Sequence, residues 1–195
     1  MKGNGRVRGV THPKGGHADV LLTEGWQVAR SAPGSITDPK ALASASLAWT
    51  AVAKVPATAA SALRDAKEWS LDGPPRRFDA EDWWWRVTIA PGELFGEART
   101  EPGDELTLCF DGIATIAEVW VDGERVLQSE NMFVAHRVPL PAGETSHEIV
   151  ICCRSVDARL AMKRPRFMRS DWSARESSRA VRKRSPLFFA SAFMT

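Results

Sequence analysis

The most regular pattern along this chain is a set of period-two alternations between residues 83 and 156. Trp83, Trp85, Val87 and Ile89 alternate with Trp84, Arg86 and Thr88, which predicts a half-buried strand. Leu106, Leu108 and Phe110 alternate with Thr107, Cys109 and Asp111, and Val119 and Val121 alternate with Glu118, Trp120 and Asp122. Asp122-Gly123 separates the latter strand from residues 125–128. Both residue types tolerate positive φ, so the pair predicts a hairpin. Residues 133–140 and 148–156 read as two further strands.

Upstream the signals are shorter. Residues 20–22 and 26–29 read as strands flanking a Glu24-Gly25 turn. Asp38-Pro39 has the form of an N-cap followed by a first helical proline. Residues 49–55 are β-like and stop at Pro56, and residues 58–66 read as a short Ala-rich surface helix. Residues 1–18 lack periodicity and read as a flexible leader. Beyond about Arg159 neither period is sustained, so residues 159–195 read as a basic, poorly ordered tail. The structured body is then 19–158. Its many short strands and one or two short helices predict an all-β fold, a sandwich of two antiparallel sheets. Leu106, Leu108, Phe110, Val119, Val121, Ile149 and Ile151 are its expected inward residues.

The composition, 44% hydrophobic and 26% charged, is that of an ordinary soluble domain. The formal charge of +2 conceals an asymmetry: residues 154–184 carry eleven Lys/Arg against three Asp/Glu, whereas the rest of the chain is net acidic. The body therefore has no nucleic-acid footprint. Eight Trp beside no Tyr concentrate the aromatic surface in indoles. Three Cys, two of them adjacent, argue against a disulfide framework and for free thiols. No apolar run follows the charged N-terminus, and the late apolar stretch 186–194 is too short to cross a bilayer. The expectation is a cytoplasmic protein without a membrane partner.

Candidate chemistry is sparse. His12, His17, His136 and His147 form no zinc-type spacing, and no nucleophile elbow, phosphate loop or dinucleotide fingerprint is present. No metal, cofactor or catalytic residue is expected. Glu81 and Asp82 read as solvated turn residues. Trp84 and Trp120 fall on the polar face of their strands. Each either packs beneath a neighbouring loop or offers an indole face to a sugar ring. Asn131 sits at a loop-to-strand junction, where it either caps a turn or recognises hydroxyl groups.

In order along the chain, EDWWWR (81–86), FDGIATIAEVWVDGERVLQ (110–128) and SENMFVAH (129–136) resemble the N-terminal domain of glycoside hydrolase family 2. The similarity is to its β-mannosidase-like branch. Trp85 stands where that pattern has Tyr, and Ala57 where it has Gly in a VPGT segment. The resemblance covers about residues 26–155, with a brief echo at Arg164-Pro165-Arg166-Phe167 and none from Met168 on. It implies a jelly-roll, galactose-binding-like sandwich that flanks the sugar pocket of a catalytic barrel. In a full-length enzyme this domain would also pack on an immunoglobulin-like domain. The NMF segment makes Asn131 the first candidate for the sugar-facing rim, with Trp84 and Trp120 behind it. The family's acid/base glutamate follows an asparagine. Neither Asn4 nor Asn131 precedes a Glu, so this chain is expected to be inactive alone and to look truncated. A stand-alone carbohydrate-binding module of the same fold is the alternative. A basic-tailed interaction protein is a third reading, disfavoured by the acidic body.

Overall fold

In the computed structural model, which describes residues 20–90, 106–140 and 146–163, the alternating segments pair into two antiparallel sheets. The strands are β1 (Gln27–Ser31), β2 (Thr50–Ala51), β3 (Asp82–Ile89), β4 (Leu106–Phe110), β5 (Ala117–Val121), β6 (Glu124–Ser129), β7 (His136–Leu140) and β8 (His147–Cys153). The larger sheet has the order β2-β1-β3-β8-β5-β6, and β4 pairs with β7 in the smaller one. Two helices, α1 (Ala59–Asp65) and α2 (Val156–Lys163), complete the described regular structure with two short 3-10 turns. This is the all-β sandwich that the alternation predicts.

One face of each sheet closes on a common core. Trp83, Trp85 and Val87 of β3 and Ile149 and Ile151 of β8 meet Leu108, Phe110 and Val138 of the small sheet. Of the seven expected inward residues, six are buried, and Leu106 packs against the same core while partly exposed. The β5–β6 hairpin turns through Asp122 and Gly123, at φ 51° and 81°. Positive φ at both positions matches the right-handed twist of the strands they join. Asp122 is also tied to β8. Its N–H donates to the Glu148 carbonyl (2.9 Å), its Oδ1 accepts from the Glu148 N–H (2.8 Å) and its Oδ2 lies 2.6 Å from His147 Nδ1. Burial acts to raise the pKa of this carboxyl. The bonds from His147 and Glu148 outweigh it and hold the group below its ordinary value of 3.8.

Several local expectations change. Residues 20–22 form no strand; the buried Trp26 instead donates its indole N–H to the Leu22 carbonyl at 2.9 Å. The β-like run 49–55 shrinks to Thr50–Ala51, and the Val55–Pro56 peptide is cis. The start of β7 moves to His136 because residues 131–134 turn first, and β8 ends at Cys153. Helix α1 opens on a capping box, in which Thr58 and Ser61 satisfy each other's backbone N–H groups. It is more than a surface helix, since Ala59, Ala62 and Leu63 are in the core. Helix α2 runs across residue 159, where the basic tail was expected to begin. The leader 1–18 and residues 164–195 lie outside the described residues.

The buried position of Leu108 at the sheet interface carries a direct consequence. Leu108→Ala is expected to lower stability by about 2–5 kcal/mol in urea unfolding. A change within the roughly ±0.5 kcal/mol typical of surface substitutions would contradict this packing.

Candidate functional site

The three residues singled out for sugar contact fall in two places. Trp84 on β3 and Trp120 on β5 lie on the outer face of the large sheet, where they reach across β8 and stack with ring centroids 5.7 Å apart. Both are enclosed, Trp84 fully, because residues of the segment 36–49, including Ile36, Leu42, Leu47 and Trp49, pack over them. Neither indole is a solvent-facing platform. The β3 strand is buried on both faces rather than one, since the covering segment turns its polar side into a second small core.

The polar members of that outer face hold the cover down. Asp82, expected in solvent, is 1% exposed. Its Oδ2 accepts from the Gly34 N–H (2.9 Å) and from Arg154 Nη1 (3.0 Å), and its Oδ1 accepts from the Ser155 N–H (2.7 Å). Arg154 also donates to the Ile36 carbonyl (2.7 Å) and to Glu118 Oε2 (2.6 Å), and its guanidinium lies 5.1 Å from the Trp84 ring centroid. A buried carboxylate is tolerable only when paired and hydrogen-bonded in this way. Glu81, its neighbour, pairs instead with Arg76 at 2.9 Å.

Asn131 belongs to the loop from β6 to β7, which crosses from one sheet to the other. Its side-chain Oδ1 accepts from the Phe133 N–H at 3.0 Å, and its carbonyl accepts from the Val134 N–H at 3.4 Å. Asn131 thus caps the turn through Oδ1, and the residue is exposed. Next to it Phe133 projects into solvent, 87% exposed. The loop lies close on the strand end that precedes β5: a Cβ on Gly112 would stand 2.7 Å from the Met132 carbonyl oxygen. That contact gives a physical reason for glycine in the FDG segment, because any larger residue would push the loop outward.

Comparison with known proteins bears on this arrangement. Residues 26–188 match the family described as glycosyl hydrolase 2 galactose-binding domain-like. The chain belongs to that family. The match runs further than the resemblance read from the motifs, reaching well into the basic region after Met168. Beta-mannosidase B of Emericella nidulans is 29% identical over 158 residues, which is 74% of this chain and 17% of that protein. Beta-mannosidase B of Aspergillus oryzae is 34% identical over 125 residues, or 63% and 14% of the two chains. A β-D-mannosidase structure from Dictyoglomus thermophilum aligns with a TM-score of 0.50 at 20% identity, covering 72% of this chain and 16% of that one, and shows the shared fold.

As a galactose-binding-like domain the chain is a member of a carbohydrate-active family. Among the described residues no group of His, Cys, Asp and Glu is arranged to hold a metal ion. The cysteines are free, and burial pushes the Cys153 thiol up to about 12 and Cys152 higher still, so neither is a nucleophile at neutral pH. Two polar residues beside the loop escaped the sequence reading, Ser129 and His136. Their side chains meet at 3.1 Å, and the sole signal was that they flank the NMF segment.

The enclosure of the tryptophans separates the two roles first considered for them. Trp84→Ala and Trp120→Ala are each expected to cost about 3–5 kcal/mol in denaturant unfolding. An exposed sugar platform would instead lose little stability on the same truncation.

Proposed function

We propose that this chain acts as the non-catalytic N-terminal domain of a β-mannosidase-like glycosidase, lending its β6–β7 loop to the rim of a sugar pocket. The observation that carries the reading is the loop itself. An exposed Asn131 amide stands beside an exposed Phe133 ring, on a turn fixed by its own hydrogen bonds. An aromatic face suits the C–H side of a pyranose, and an amide suits its oxygens. The names of the curated relatives favour a β-mannoside, with a β-galactoside as the competing class.

The chain spans 17% and 14% of the two curated relatives described above. Hydrolysis by a retaining mechanism requires two carboxyl groups about 5–5.5 Å apart across the scissile bond. In this reading they come from a barrel packed beside the domain, with an immunoglobulin-like domain as the other neighbour, and the chain alone hydrolyses no glycoside. Neither nucleic acid nor a membrane is a partner, and the location is cytoplasmic.

One domain supplies only part of such a pocket, so its own sugar affinity should be weak, about millimolar, equivalent to roughly −4 kcal/mol. Titration of the labelled chain with mannose and with galactose, followed by NMR, is expected to shift the Asn131 and Phe133 signals and to leave those of Trp84 and Trp120 in place. Asn131→Ala should remove the response. Unchanged loop signals at saturating concentrations of both sugars would refute the rim role, and micromolar binding would favour a stand-alone carbohydrate-binding module.

A further inference from the structure

We propose that His136 is a positioning residue for this loop, acting through the buried Ser129 to fix Asn131 as a hydrogen-bond donor toward a sugar oxygen. Ser129 ends β6 in the large sheet and His136 opens β7 in the small one, so their contact bridges the two sheets where the loop crosses between them. Ser129 lies opposite Ala117 and His136 opposite Phe110, both fully buried core residues. The pair therefore sits at the mouth of the sandwich, just beneath the turn.

The hydrogen-bond inventory at Ser129 decides what His136 does. The hydroxyl has one proton and two lone pairs. It lies 3.2 Å from the Asn131 carbonyl, 3.3 Å from the Asn131 N–H and 3.1 Å from His136 Nε2. All three contacts are satisfied together only when the hydroxyl proton goes to the carbonyl, which can only accept. The Asn131 N–H can only donate, so it fills one lone pair. The remaining lone pair faces Nε2, which must then carry a proton. His136 is thereby assigned as the donor that completes a clamp on both backbone groups of Asn131. With the Asn131 backbone held and Oδ1 engaged by the Phe133 N–H, the side chain has a single orientation. The assignment of Oδ1 follows because that N–H can only donate. Nδ2, a donor engaged by none of these bonds, is left to face a ligand, while Oδ1 keeps one lone pair. The loop would thus present its Nδ2 donor to a sugar oxygen.

The sugar part rests on the function proposed above, whereas the clamp itself is testable without any ligand. In the 15N-labelled full chain, His136 Nε2 is expected to show a protonated, pyrrole-like shift. Solvent exchange of the Phe133 N–H should speed up roughly fivefold in His136→Phe, as for the loss of one hydrogen bond. The rate should return toward wild type in His136→Gln, whose amide can donate to the same hydroxyl. The Ile151 amide in the core serves as the folding reference. If His136→Phe does not fold, Ser129→Ala provides the same loss of the clamp. A pyridine-like Nε2, or unchanged Phe133 exchange in folded His136→Phe or Ser129→Ala, would overturn the positioning role. A mannose titration then reads the second half: the Asn131 Nδ2 signal should shift in wild type and His136→Gln but not in His136→Phe. A normal clamp with no mannose response would refute the donor assignment toward sugar and the rim role together, while leaving the His136–Ser129 positioning intact.

Discussion

The burial of the Asp82 carboxylate is the constraint around which the outer half of this domain is organised. A charged group nearly out of contact with water carries a desolvation cost of several kcal/mol unless its lone pairs are filled. Here they are filled from two separate stretches of chain, by Gly34 and by the adjacent Arg154 and Ser155. Asp82 opens β3, Arg154 follows β8 and Gly34 leads into the covering segment. One side chain thus fixes the end of the central strand pair and the position of the cover. The cover in turn encloses Trp84 and Trp120, giving the large sheet two buried faces.

This division of faces separates the closed outer face from the loop proposed for sugar contact. The stacked indoles and the ion-pair network hold the outer face shut and leave it unavailable to a ligand. The β6–β7 loop lies elsewhere, at the crossing between sheets, and Asn131 and Phe133 are among its exposed residues. Its anchorage is short-range and polar: the Asn131 cap, the Ser129 hydroxyl, His136, and the close backbone approach permitted by Gly112. A rigid scaffold carrying a loop pinned by local bonds is the usual way that a sandwich presents a recognition element.

Most of the inner architecture was legible in the sequence because period-two alternation is a local signal. The faces of Leu108, Val119 and Ile151 follow from their neighbours alone, as do the turn at Asp122-Gly123 and the cap at Asp38. The outer face was not legible. Trp84 and Trp120 look like members of a polar face because their neighbours on that face include Arg86 and Glu118. What buries them is the segment before β2, which has no strand period of its own. Asp82 looks like a turn residue because its partner Arg154 lies 72 positions away. Of the candidate site, the NMF motif identified Asn131. The donor and acceptor roles of Asn131 depended on hydrogen bonds from Ser129 and Phe133, which residue type alone does not specify.

The claim that Asp82 and Arg154 act as one unit is tested most directly by a double-mutant cycle, with Asp82→Ala, Arg154→Ala and the combination compared by urea unfolding. Removing Arg154 leaves the buried Asp82 with backbone N–H donors alone, and removing Asp82 leaves Arg154 paired with Glu118 alone, so each single variant should lose up to about 3–5 kcal/mol. The double variant should lose clearly less than the sum of the two, giving a coupling energy of roughly 1–3 kcal/mol. Losses that add to within about 0.5 kcal/mol would show two independent residues and contradict the account.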